Sequence, residues 1–260
     1  MTGDTIYIPI HDFEVFILIM VRVAAIFFSA PFFGSRRVPV PVKAGLAMLV
    51  SLAIFPVLKN QIVFNIDGVA TLFVYVSYEV IIGMVIGYAA RLIFTAIQFS
   101  GRIVGFQMGL GLAQALDPSQ EDQTTMISRL QDLMAVLVFL SINAHHIFIV
   151  ALVKSFELVP PMGLNYSSSM VEMLISMAGN VFVIALKISA PIMASLLFTN
   201  VAFGILAKVV PQMNILIVGL PIQIAIGMLV LGLSFPMMVL LMKGSFIKLS
   251  GDIMLLLKAM

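Results

Sequence analysis

The side chains able to do chemistry in this chain are few and scattered. His145 and His146 stand together after Asn143, near the end of an apolar run. An imidazole pair relays protons or binds metal when a carboxylate or further ligand stands with it. The one other histidine is His11 and cysteine is absent, so a zinc centre, a disulfide and thiolate chemistry all lack their ligands. The pair reads instead as a structural feature of a membrane boundary, where one ring edge stays wet. The other candidates are ionisable groups inside apolar runs: Arg22, Glu79, Arg91 and Lys187. A central arginine costs a membrane helix about 2.5–3.5 kcal/mol on insertion scales, so Arg22 is expected to face protein or water, with Glu14 of the same run as one candidate partner. A midplane site for a small solute would use such charges, but it also calls for matching broken helices in the two halves of the chain, and no such pair is visible. An intramembrane enzyme built on His145, His146 or Glu79 would need a nucleophile motif or metal-ligand spacing, and neither is present. No catalytic residue, cofactor or metal is assigned.

What must position these groups is a set of membrane helices. Hydrophobic residues fill 62% of the 260 positions and charged residues 10%, with a mean hydropathy of +1.16. Soluble domains carry about a quarter charged residues, so the composition defines an all-α, polytopic membrane-type protein. A net charge of +2, spread along the chain, argues against a nucleic-acid partner. No basic residue precedes the first apolar run, which is therefore expected to be retained rather than cleaved as a signal. The runs cover residues 13–33, 44–58, 69–99, 133–153, 173–210 and 215–242. Pro191 interrupts the fifth, Pro221 and Pro236 the sixth, and residues 208–214 read as the turn of a helical hairpin. Proline in a membrane helix frees backbone groups that protein or water must satisfy, which favours packing in a larger assembly. Residues 154–171 read as a polar loop between two halves, and 244–260 as an amphipathic tail.

The third run is too long for its solvent. As one helix its roughly thirty residues would extend about 45 Å, against a bilayer core of about 30 Å. Within it Glu79, Gly83, Gly87, Arg91 and Thr95 recur every fourth residue, a spacing that predicts a protein-facing seam. It leads into residues 101–123, too glycine-rich and polar for a lipid-facing helix yet too apolar for a solvated linker. Gly101, Gly105 and Gly109 continue the spacing as a bare stripe, Gly111 loosens the chain, and Asp117-Pro118 supplies a turn. Two readings stand here: a tight packing stripe followed by a surface loop, or a mobile constriction element.

Charge gives a contradictory topology. Arg36, Arg37 and Lys43 form the densest basic cluster and place the first loop in the cytoplasm, hence the N-terminus outside. Six crossings would then put the C-terminus outside as well, although its Lys243, Lys248 and Lys258 favour the cytoplasm. The simple six-span count is therefore not expected to hold.

Several phrases in order resemble the FliR family of flagellar export-apparatus proteins, whose injectisome counterparts are called SctT. They are the glycines of 101–111 followed by Asp117-Pro118, the run VLVFLSINAHH ending at His146, Lys154-Ser155-Phe156 with Pro160, Pro161, Met162 and Gly163, Ala190-Pro191, and Pro211-Gln212-Met213-Asn214. The phrases GFQMG, INAHH and PQMN are more similar to the flagellar branch. The resemblance implies a core subunit of a hetero-oligomeric helical export gate with FliP-type and FliQ-type subunits, near FlhB-type and FlhA-type components. In it residues 1–170 would be FliP-like and 171–260 a FliQ-like hairpin. Unfolded flagellar subunits would pass through the centre of an assembly in the inner membrane and flagellar basal body, largely raised toward the periplasm. A plug loop would fall at residues 105–122, with Phe106, Gln107, Met108, Leu110 and Leu112 facing the constriction and Gly105, Gly109 and Gly111 supplying hinge freedom. Glu79, Gly83, Gly87, Arg91 and Gly101 would remain the helix-packing seam.

Overall fold

The computed structural model describes residues 10–31, 39–59, 62, 68–111, 125–165, 167–212 and 214–260. Among the described residues there is no strand, and seven helices carry the fold: α1 (Ile10–Ser29), α2 (Val40–Leu58), α3 (Val69–Gln107), α4 (Met126–Ser141), α5 (Ala144–Leu158), α6 (Ser168–Val209) and α7 (Ile215–Ala259). Four stretches are long and apolar enough to cross a membrane, namely α2, α3, α6 and Ile217–Ala259 of α7, and the bent pair α4–α5 makes a fifth if taken as one span. The six apolar runs thus reduce to four or five. The first drops out because α1 carries Asp12, Glu14 and Arg22 within 20 residues.

Two compact units interleave along the chain. The first comprises Met1–Arg91, His145–Ser176 and Leu249–Met260; the second comprises Leu92–Ala144 and Met177–Lys248.

In the first unit α1 packs on α2, with Phe16 edge-on to Phe55 at 6.0 Å between ring centroids. The inward face of α2 is Lys43, Ala47, Ser51, Ile54 and Leu58, three or four residues apart as one helix face requires. Lys43 therefore lies buried inside α2, its Nζ 5.7 Å from the centre of the Phe28 ring, rather than in the basic loop where the sequence placed it. Arg36 and Arg37 lie outside the described residues. The tail is likewise not a separate element. It is the end of α7, and Leu249, Ile253, Leu256 and Leu257 bury its inner face. Backbone bonds fasten it: Asn165 N–H donates to the Met260 carbonyl and the Ser167 hydroxyl to that of Ala259, each at 2.5 Å. Ser167 Oγ also accepts from Met170 N–H at 3.2 Å, capping α6. The connection expected over 154–171 is correspondingly shorter, because α5 runs on to Leu158.

The core of the second unit is aromatic. Phe94 of α3, Phe139 of α4 and Phe246 of α7 form a triangle with centroids 5.2–5.7 Å apart, all three buried. α6 ends at Val209 and α7 begins at Ile215, and this hairpin is cross-linked by the Gln223 amide donating to Asn200 Oδ1. Pro191 lies inside α6, and Pro221 and Pro236 inside α7. Each removes one backbone donor without ending its helix, as membrane helices packed against neighbours tolerate. Helix α4 stops before Asn143, whose φ of 53° is left-handed, a conformation that asparagine adopts more readily than most residues.

Candidate functional site

The glycine-rich stretch begins as helix and becomes a loop at a defined point. α3 continues to Gln107, past residue 99 where the apolar pattern ends, so Gly101, Gly105, Phe106 and Gln107 are helical. Gly109, with φ of 79°, terminates it. Its N–H donates to the Phe106 carbonyl at 3.0 Å and that of Leu110 to the Gly105 carbonyl at 3.0 Å, the two closing bonds of a Schellman end. The regular spacing of Gly101, Gly105 and Gly109 therefore hides two jobs: the first two are packing positions and the third is a helix stop.

Both ends of the segment that follows are held at its base. A Cβ on Gly101 would run into the Ser128 backbone, 2.9 Å from its nitrogen, and one on Gly105 would lie 2.7 Å from Thr125 Oγ1. Thr125 caps α4: its hydroxyl accepts from Ser128 N–H at 3.2 Å and donates to the Gly101 carbonyl at 3.2 Å. The Ser128 hydroxyl donates to the Gln98 carbonyl at 2.9 Å, and the Gln98 amide to Asp132 Oδ1 at 2.8 Å. Met108, the first residue past α3, is fully buried against Gly227 of α7, where a Cβ would meet Met108 Cγ at 2.8 Å. Phe106 is 74% exposed, and Gln107, Leu110 and Gly111 are half-buried. Leu112 and the rest of 113–122 lie outside the described residues.

Glycine substitutions at this junction separate packing from seating. In Gly101→Ala the methyl lands on helix backbone, which yields only if α3 and α4 part. In Gly227→Ala it meets a flexible thioether. Alanine favours a helix by about 1 kcal/mol over glycine, whereas overpacking costs about 1–3 kcal/mol. Gly101→Ala is expected to lower the melting temperature of the solubilised protein, and Gly227→Ala to leave it nearly unchanged while displacing Met108; equal melting temperatures would contradict this geometry.

A second constellation lies in the first unit. Arg22 is fully buried and ion-paired with Glu79, not with Glu14: Nε donates to Oε2, and Nη2 to Oε1 at 2.9 Å. Its Nη1 donates to the Ser155 hydroxyl at 3.0 Å and Nη2 to the Val159 carbonyl at 3.1 Å, while the guanidinium sits 3.8 Å from the Phe156 ring centre. Glu14, one helix face away, is half-exposed. α1, α3 and α5 thus converge on one neutralised fork. Beside it, Gly83 and Gly87 bring α3 against α1: a Cβ on Gly83 would lie 2.8 Å from the Arg22 carbonyl, and one on Gly87 2.8 Å from Ser29 Cβ. Arg91 of the same four-residue series is exposed.

The remaining chemical candidates stay apart. His145 and His146 stack with ring centroids 4.3 Å apart at the start of α5, the first half-buried and the second exposed. Lys187 is exposed on α6, in the other unit from Arg22 and Glu79. Among the described residues no three histidine, aspartate or glutamate side chains gather as a metal site would require. Residues not singled out in the sequence also matter: Thr125 and Ser128 had a readable signal, a threonine just before a helical run, whereas Gly227 had none, because its importance lies in what comes to it through space.

Membrane-length helices locked by a neutral internal ion pair, with a glycine-ended loop clamped at its base, define a polytopic helical membrane protein with one specialised inter-helix loop. Residues 13–249 match the family described as bacterial export proteins, family 1. The flagellar biosynthetic protein FliR of Bacillus subtilis (strain 168) is 33% identical over 222 residues, 84% of this chain and 85% of that protein. Its namesake in Escherichia coli (strain K12) is 31% identical over 218 residues, 84% of this chain and 83% of that protein. The chain belongs to the FliR family of flagellar export proteins. It is a component of the type III export gate in the bacterial inner membrane, a transport component rather than an enzyme, and its partners belong to the flagellar export apparatus.

Proposed function

We propose that the chain forms part of the conduit through which unfolded flagellar subunits leave the cell, and that the loop opening at Met108 is its plug. In this reading residues 1–170 act as a FliP-like part and 171–260 as a FliQ-like hairpin, packed with FliP-type and FliQ-type subunits near FlhB-type and FlhA-type components in the basal body, largely raised toward the periplasm. The observation that carries it is the anchoring of the loop: a left-handed Gly109 at one end, Thr125 capping α4 at the other, and Gly101 and Gly105 of α3 pressed against the start of α4. Ends held at one base would let the loop part around varied cargo and return to one closed position. Phe106, Gln107, Met108, Leu110 and Leu112 supply the seal, Met because its unbranched thioether repacks readily, and Gly105, Gly109 and Gly111 supply the turn. Glu79, Gly83, Gly87 and Gly101 form the packing seam within the chain, and the exposed Arg91 extends it toward a neighbouring subunit.

The test removes the loop and spares the helix. Deleting residues 110–116 keeps all of α3 and should leave assembly intact while making the reconstituted complex leaky to small ions, measured as tracer efflux from vesicles. Unchanged efflux from a fully assembled complex would sink the plug assignment.

A further inference from the structure

We infer that the groove beside Arg91 is a docking slot for a carboxylate-bearing helix of a neighbouring subunit, an inference that rests on the hetero-oligomeric reading above. The groove has a volume of about 310 Å³ and is lined by Ser29 of α1, Met84, Val85, Tyr88 and Arg91 of α3, and Leu174 of α6, all in the first unit. Its walls are apolar apart from the Arg91 guanidinium and the Ser29 and Tyr88 hydroxyls, and Ser29 already donates to the Ala25 carbonyl at 2.6 Å. Arg91 is exposed, and among the described residues no carboxylate pairs with it.

Helix geometry explains why this arginine is left over. A four-residue step turns the helix about 40° beyond a full turn, so three steps from Glu79 carry Arg91 about 120° around α3. Glu79 faces α1 and is neutralised by Arg22; Gly83 and Gly87 press on α1; Arg91 emerges at the rim, beside the half-exposed Met84 and Tyr88. An exposed guanidinium midway along a membrane-length helix is costly to leave unpaired wherever water is excluded, and such groups pair with an opposite charge. The fork of Arg91 fits the two oxygens of one carboxylate, while Met84, Val85 and Leu174 supply the apolar contact of helix packing. At about 310 Å³ the groove is of side-chain size, which suits the residues of one packed helix.

Photo-cross-linking in the intact complex tests the slot. With p-benzoylphenylalanine in place of Tyr88, irradiation is expected to join this chain to a partner-subunit helix within one turn of an aspartate or glutamate. Arg91→Glu should reduce that adduct about tenfold or more, Arg91→Lys, which keeps the charge but loses the fork, should fall between the two, and changing the partner's acidic residue to arginine should restore it in the Arg91→Glu background. A phospholipid adduct, a cross-linked helix without an acidic residue, or an Arg91→Glu yield equal to the parent would each overturn the slot while the complex, seen by size-exclusion chromatography, still assembles. Failure of the parent chain to enter any stoichiometric complex would instead defeat the hetero-oligomeric reading, and the slot with it.

Discussion

Glu79→Leu with Arg22 left in place should destabilise the protein by about 3–5 kcal/mol, the loss expected when one member of a buried ion pair is removed. Arg22 has no exposed surface, and its remaining partners are the Ser155 hydroxyl, the Val159 carbonyl and the Phe156 ring, none of which carries the compensating charge. The cost comes from stranding a guanidinium, so the double variant Arg22→Met/Glu79→Leu should recover most of the lost stability. Thermal unfolding of the detergent-solubilised complex reads both. If the double variant melts as low as Glu79→Leu, the fork holds α1, α3 and α5 by shape and hydrogen bonding, and the charge argument is wrong. The neutral pair also bears on solute transport, for which Arg22 and Glu79 would have to remain available to a substrate; here each satisfies the other.

Phe246→Ala should cost a similar amount, about 3–5 kcal/mol, for a different reason. Phe246 is fully buried and completes the triangle with Phe94 and Phe139, so its removal leaves a cavity facing two rings at 5.2 and 5.4 Å. In a membrane protein the lost term is close packing rather than transfer from water, because lipid tails are as apolar as the ring. Phe246→Leu, which refills much of the space, should lose less than half as much in the same melting assay. Indistinguishable Ala and Leu variants would mean that the triangle is not a close-packed core. Since α7 passes through this cluster on its way to the buried Leu249, Ile253 and Leu256, loss of Phe246 is also expected to loosen the end of the chain against proteolysis.

Legibility differed between the fold and the site. The membrane class, the long third helix and the α6–α7 hairpin follow from composition and from spacing along the chain, which are local properties. The same local signal erred where two neighbours in sequence part in space. Residue 99 looked like the end of α3 because polarity rises there, yet the helix continues to Gln107, since Gly101 and Gly105 need helical geometry to press on Ser128 and Thr125. Lys43 looked like part of an exposed basic loop, and its apolar stem is instead packed within α2. Residues 244–260 looked separate and amphipathic because their polar face is real; of the other face, Phe246 belongs to the core of the second unit and Leu249 onward to the first.

By itself the sequence determined that this is a helical membrane protein with a glycine-rich interruption in its middle, because apolar runs and clustered glycines act through the residues next to them. Only the tertiary structure decided which groups meet. Arg22 takes Glu79 rather than Glu14, Met108 seats on Gly227, and Arg91 is turned out of its own series. The physical reason is that pairing energy depends on distance through space, and four-residue spacing drifts around a helix, so identical intervals along the chain end on different faces.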